Sequence, residues 1–194
     1  MLMIELKEMS GKMTYKEQIV KAMEELAKES DTLFIGQGLS VGDRVYGTFN
    51  TIPTQKCLEL PTAENLAVGV AMGLCLKGFR PILVFQRMDF MLVCADAIIN
   101  HMALIPRMSG GQVKFPLIIR AIIGSQDREK FDVGLQHSKD LTYVFDPWIG
   151  HTMKLGLEDD IVKSYLDEYK NPTVTGALFV EQKDLYGETS LRQV

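Results

Sequence analysis

The sequence predicts an α/β fold: a doubly wound, mostly parallel sheet with helices on both faces. Three observations lead there. Short apolar runs at residues 33–35, 80–85, 117–123 and 177–181 read as strands covered on both sides. Between them lie segments with apolar residues at helical spacing. The alternation of the two is the pattern of βα units. A length of 194 residues suits one domain, residues 1–194, with a sizeable core.

Taken in order, Thr14 and Glu17 form a capping box ahead of Ile19, Ala22, Met23, Leu26 and Ala27, so residues 14–29 are a predicted amphipathic helix. The strand at 33–35 ends in Gly36-Gln37-Gly38, and residues 39–54 form a long loop. A second strand at 57–60 leads into a helix that Thr62 is placed to cap and Gly78 to stop. That helix carries no charge from residue 66 to residue 76, which predicts burial on every side. After the strand at 80–85, residues 88–103 form a second largely apolar helix. The strand at 117–123 is followed by a charged loop at 126–135, a short helix at 139–145 and a strand at 153–155. Acids at 158–160 suit the start of a helix running to residue 169, and 177–181 is the last strand.

Composition narrows the function classes. Hydrophobic residues make up 46% and charged residues 24%, as in ordinary globular domains. A net charge of -4 leaves no basic footprint for nucleic acid and no polybasic membrane patch. Cys57, Cys75 and Cys94 lack metal-ligand spacing and read as buried reduced thiols, so a cytoplasmic location is expected. Residues 1–12 lack the apolar core of a signal peptide, and the apolar run at 66–76 is too short to span a bilayer.

Ligands in such folds bind beyond the carboxyl ends of the strands. That rim is expected to gather residues 36–38, 61–64, 85–90, 124–125 and His137. Glu64 stands out, because the apolar helix behind it carries a carboxylate toward the interior, a costly place without a partner or a task. Read alone, it is a helix-N-terminal acid satisfied by backbone amides. Pattern yields a rim with an acid, a histidine and an aromatic, and no reaction.

These residues also carry a resemblance. Pro61-Thr62-Ala63-Glu64, Gly69, Gly73, Gly78 and Arg80-Pro81-Ile82 stand in the order and spacing of a known family. Asp89-Phe90, Ile98-Ile99-Asn100, Met108-Ser109-Gly110-Gly111-Gln112 and Gln136-His137-Ser138 follow in register. The chain resembles the pyrimidine-binding domain of thiamine-diphosphate-dependent enzymes, as in 2-oxo acid dehydrogenase β subunits and the central domain of transketolase. The resemblance implies that Glu64 activates thiamine diphosphate through its pyrimidine ring nitrogen. It implies that Phe90 stacks on the pyrimidine and that His137 faces the substrate. Gln86 stands at the pocket position where the β subunits carry a Met, and Gln37 and Gly38 stand where they carry acids.

The family's Gly-Asp-Gly motif for Mg²⁺ and diphosphate does not occur in this sequence, and its usual C-terminal domain is not expected either. The resemblance therefore implies half an active site, with Mg²⁺ on a partner chain and a homodimer within a hetero-oligomer. Residues 88–103 are expected at a subunit contact. The expected reaction is decarboxylation of a 2-oxo acid, or acyl or ketol transfer. Arg44, Arg107 and Arg128 are candidates for holding a sugar phosphate, and His101 and His151 read as structural. The alternative is a non-catalytic or regulatory dimerisation scaffold.

Overall fold

The computed structural model describes residues 13–127, 134–189 and 191. Arg128 and most of the expected loop at 126–135 lie outside the described residues. The strands are β1 (Phe34–Gly36), β2 (Cys57–Glu59), β3 (Ile82–Phe85), β4 (Ile118–Ile123), β5 (His151–Lys154) and β6 (Ala177–Gln182). They form one sheet in the order β2-β1-β3-β4-β6-β5, with every neighbouring pair parallel.

Alternate strand residues point to opposite faces and so build two cores. On one face Phe34, Ile82, Val84, Ile118, Ile122 and Phe179 pack with α1 (Tyr15–Ala27) and α5 (Ile161–Lys170). On the other, Ile35, Leu83, Phe85, Ile119, Ala121 and Val180 pack with α2 (Glu64–Leu76) and the stretch 88–103. The capping box forms: Thr14 Oγ1 accepts from the Glu17 amide at 3.2 Å, and the Glu17 carboxylate accepts from the Thr14 amide at 2.7 Å. Asp160 caps α5 by accepting from the Lys163 amide at 3.0 Å.

Four expectations need correction. α2 is not buried all round: Ala67, Val68, Ala71 and Cys75 are buried, while Leu66 is 51% and Leu76 63% exposed. Thr62 does not cap it; the cap position is Ala63, with no side-chain hydrogen bond, and the Thr62 hydroxyl reaches Gln37 Oε1 at 3.5 Å. The stretch 88–103 is not one α-helix. It is a tight 3-10 run, Met88–Cys94, then a π-helical run, Ala97–Ala103. Pro106 has no N–H for the residue-102 carbonyl, so the chain restarts there as the short α3 (Ile105–Met108). The helix expected at 139–145 shortens to α4 (Thr142–Phe145), because the Asp140 carboxylate takes the Thr142 amide at 3.0 Å and starts the helix there.

β4 carries a surprise for an apolar strand. Arg120 is fully buried, with its Nε 2.5 Å from the Glu181 carboxylate on β6. Thr48 and Tyr186 hydroxyls accept from the same guanidinium, and Tyr165 and Tyr186 donate to Glu181. Burial disfavours the charge on Arg120, but Glu181 overcomes it and raises the guanidinium pKa.

Candidate functional site

β1 leads outward to β2, and the chain then crosses back to place β3 on the other side of β1. Such a reversal leaves a crevice beyond the carboxyl ends of the strands. A cavity of about 270 Å³ lies there. Gly36 and Gln37 line it from β1, and Leu60, Pro61 and Glu64 from the turn into α2. Phe85, Gln86 and Arg87 line it from the end of β3, with Phe90 and His137 beyond them.

Backbone approach sets the crevice width. A Cβ on Gly36 would lie 2.6 Å from the Val84 carbonyl oxygen, so β1 and β3 meet this closely only with glycine there. Gly38 has φ +66°, and a Cβ on it would strike Gln86 Nε2 at 2.1 Å. Gln86 donates from that nitrogen to the Gln37 carbonyl at 2.7 Å. It therefore ties the two lips of the crevice together, with its amide nitrogen engaged across the cavity wall. Gln37 in turn donates to the Pro61 carbonyl at 3.1 Å, joining β1 to the turn before Glu64. Glu59, a residue the sequence reading passed over, fixes the same loop. Its carboxylate accepts from the Gly38 amide, and from the Ser40 amide and hydroxyl at 2.8 and 3.0 Å.

Glu64 is the first residue of α2 and is partly buried. Among the described residues, no amide or side chain hydrogen-bonds to its carboxylate. The backbone-satisfied state open to a helix-N-terminal acid is thus not the one adopted. It shares the cavity wall with apolar Leu60, Ala67, Val84 and Phe85 and with polar Gln37, Gln86, Arg87 and His137. The buried Cys94 thiol is close enough to feel it: burial first, and the Glu64 charge second, push that thiol up to about 12.

Phe90 is 39% exposed and meets the His137 ring edge-on, with centroids 5.5 Å apart at 70°. His137 reaches the cavity because its segment is pinned from both sides. Its amide donates to the Gly134 carbonyl at 3.2 Å. Two residues on, the Lys139 amide donates to the buried Asp89 carboxylate at 3.3 Å. Asp89 therefore positions the turn that carries His137, a role that sequence spacing does not reveal.

The structure brings Glu64, Gln86, Phe90 and His137 to one cavity and leaves other candidates outside it. Gly124 lines a separate hollow with Asp140, Lys154 and Asp184, and Ser125 donates to Asp184. His101 sits 3.4 Å from Asp96, and His151 2.9 Å from Glu168. Arg44 donates to the carbonyls of Leu39, Asn50 and Ile52, a structural task. Arg107 lies on α3, away from the cavity. Among the described residues no cluster of His, Cys, Asp and Glu has the makings of a metal site.

The cavity combines apolar wall from Leu60, Ala67, Val84 and Phe85, a carboxylate without a described hydrogen-bond partner, a half-exposed aromatic face at Phe90, and the polar Gln86, Arg87 and His137. The volume falls at the low end for small-molecule pockets, which run from about 300 Å³ upward.

Comparison with known proteins agrees with this geometry. The family model for the transketolase pyrimidine-binding domain matches residues 11–128, more than half of the chain. The mitochondrial pyruvate dehydrogenase E1 component subunit beta of Saccharomyces cerevisiae is 30% identical over 190 residues, covering 91% of this chain and 48% of that protein. The corresponding Rickettsia conorii subunit is 29% identical over 186 residues, covering 91% and 54%. The beta subunit of an acetoin:2,6-dichlorophenolindophenol oxidoreductase from Cupriavidus necator is 39% identical over 90 residues, covering 46% of this chain and 25% of that protein. The chain thus spans about half the length of the pyruvate dehydrogenase relatives. Among solved structures, a split-gene transketolase described as an inactive beta4 tetramer superposes with a TM-score of 0.62 at 15% identity, over 88% of this chain and 51% of that one. A thiamin diphosphate-dependent enzyme described as putative, from Mycobacterium smegmatis, gives 0.65 at 14% identity, over 94% and 33%. At such identities the likeness establishes the fold.

Proposed function

We propose a function from one premise: the chain belongs to the transketolase pyrimidine-binding domain family. That family is thiamine-diphosphate-dependent. On our reading the chain is the pyrimidine-side component of a split enzyme. It acts with a partner chain that holds Mg²⁺ and the diphosphate, on a 2-oxo acid or a ketose. The observation that carries this reading is Glu64, a carboxylate without a described hydrogen-bond partner in the cavity at the strand-order reversal.

Thiamine diphosphate, when bound, supplies a nucleophilic thiazolium carbon for bond cleavage next to a carbonyl. Everything else falls to the protein. Glu64 would share a proton with the pyrimidine ring nitrogen, and the apolar part of the wall, Leu60, Ala67, Val84 and Phe85, would keep water from competing for it. Phe90 offers a ring face to the heterocycle. Phe85 and Leu60 exclude solvent, while Gln86 holds the crevice at one width. His137, backed by Phe90 and pinned through Asp89, is placed to move a proton at the substrate oxygen.

Two observations support a partner. Each curated relative above is named as a subunit, and one structural neighbour is a split-gene transketolase. Apolar side chains also stand open beside the cavity, with Leu66, Leu92 and Val93 each at least half exposed.

The test is Glu64→Gln in the complex purified with its partner chain. The variant is isosteric, so fold and assembly should be unchanged. Turnover should fall by about 100-fold or more, the scale of a lost acid–base group. Activity within a few-fold of the native complex would overturn the role of Glu64. A complex that assembles but turns over neither 2-oxo acids nor ketose phosphates, with native Glu64, would favour a scaffold.

A further inference from the structure

The cavity also carries a cation that the steps above do not use. Arg87 follows β3, is half-buried, and lines the same cavity as Glu64 and His137. Its guanidinium carbon lies 4.9 Å from the centroid of the Tyr46 ring. Lys183 Nζ lies 4.5 Å from that same ring and 4.3 Å from the Tyr186 ring. Two cations therefore share one aromatic ring. Among the described residues, neither has a carboxylate within ion-pair distance. Arg87 spends one donor on the Gln86 carbonyl at 3.0 Å, and its remaining donors meet no described residue.

This arrangement is built at a cost. Arg44, Val45 and Tyr46 take φ values of 50°, 53° and 58°, three left-handed non-glycine residues in a row, one of them β-branched. Each such residue is disfavoured by about 1 kcal/mol or more. The turn holds because Val45 is fully buried, Arg44 donates to three carbonyls, and the Tyr46 hydroxyl donates to the Gln86 carbonyl at 3.3 Å. The product is a rigid ring beneath Arg87. Burial, then Lys16 and Arg87, make Lys183 a weaker base than usual, with Asp43 and Asp184 only partly offsetting them; Asp43 and Asp89 are the carboxylates whose charge reaches Arg87. The facing lip contributes neutral Gln37 and Gly38, and the nearby Glu59 carboxylate is occupied by the loop amides.

We propose that Arg87 is the anion-recognition residue of this site, receiving the carboxylate or phosphate of the substrate on its planar fork. Lys183 and Lys16 reinforce its field from behind. A guanidinium stacked on an aromatic suits either oxyanion, since both match its paired donors. The inference rests on reading the cavity as the substrate-bearing site, but its test needs neither cofactor nor turnover.

The experiment follows the guanidinium Nε–Hε resonances of the ¹⁵N-arginine-labelled full chain during titration with inorganic phosphate and, separately, pyruvate. The Arg87 resonance should move saturably with at least one anion in the millimolar range, while Arg107 stays still. Tenfold tighter phosphate binding would identify a phosphorylated substrate, and the reverse order a 2-oxo acid. Read on the backbone amides of the uniformly ¹⁵N-labelled chain, Arg87→Gln should weaken binding at least tenfold, and Arg107→Gln should not. An Arg87 resonance that does not saturate with either anion would overturn the proposal, as would equal effects of the two substitutions. Because the readout is on native Arg87, a poorly folding variant leaves the test intact. Full turnover in Glu64→Gln would sink the acid's role without touching this result.

Discussion

Gly38 decides how closely the two lips of the crevice are tied. Its φ of +66° and its contact with Gln86 Nε2 make one prediction sharp. Gly38→Ala forces a left-handed alanine and displaces the Gln86 bond to the Gln37 carbonyl. The two costs, about 1–2 kcal/mol for the backbone and about 1 kcal/mol for the hydrogen bond, should lower stability by about 2–3 kcal/mol. Urea unfolding measures it, and adding Gln86→Ala should relieve the steric part; a loss below about 0.5 kcal/mol for Gly38→Ala would contradict the geometry. At this scale the sequence was legible where chain order alone places a residue. Glu64, Gln86, Phe90 and His137 each follow a strand or a recognisable motif, so register brings them to one cavity. Glu59, Asp89 and Arg87 were not legible. Their roles depend on where the 38–47 loop and the 137–139 segment fold back, contacts of long sequence separation that no local pattern encodes.

The helices show the same limit in another form. An uncharged run at 66–76 was rightly read as a helix, but apolar composition does not say what covers each side. α2 buries one side in its own domain and leaves Leu66 and Leu76 open, and the neighbouring 3-10 run leaves Leu92 at 50% and Val93 at 62% exposed. If a partner chain covers this surface, each large side chain is worth about 1.5–3 kcal/mol on burial. Leu92→Glu with Val93→Glu should therefore weaken assembly by at least about 100-fold, on the scale of 1.4 kcal/mol per tenfold. The isolated chain should keep its melting temperature within a few degrees, since neither side chain contributes to the core. Sedimentation velocity of the variant with its partner decides the matter, and native-like assembly would remove this surface from the interface. The break of the 88–103 stretch into 3-10 and π-helical turns is not legible in the pattern, because each run is only seven residues, too short and too uniformly apolar for its period to show.

Across the whole molecule, the two ends of the sheet divide the labour. The carboxyl ends hold the cavity; the amino ends hold a stitch that joins three elements. Arg80, just before β3, places its Nε 2.7 Å from the Asp31 carboxylate before β1, and donates to the Tyr169 carbonyl on α5 at 2.7 Å. Its guanidinium carbon lies 3.9 Å over the Tyr169 ring, and the Tyr169 hydroxyl donates to Asp31. Arg80-Pro81, expected as the start of a strand and as part of the family pattern, precedes β3, and the arginine has a structural task outside the cavity lining. Burial alone would raise the Asp31 pKa, but hydrogen bonds from Arg80 and Tyr169 outweigh it and hold the carboxyl below its usual 3.8. A carboxyl whose folded pKa is depressed stabilises the protein fully above its unfolded value, and that stability is lost as the pH falls through the folded value. Both partners are about one-third exposed, so solvent screening limits the contribution to about 1 kcal/mol. Asp31→Asn should accordingly melt below the native chain at pH 7 and pH 5 by a similar margin. The gap should close as the pH falls below about 4 through the depressed folded value, as the native carboxylate protonates and the two side chains become equivalent in charge. Melting curves of both chains at pH 7, 5, 3 and 2 would show the convergence; parallel curves down to pH 2 would mean that Asp31 contributes by shape and not by charge.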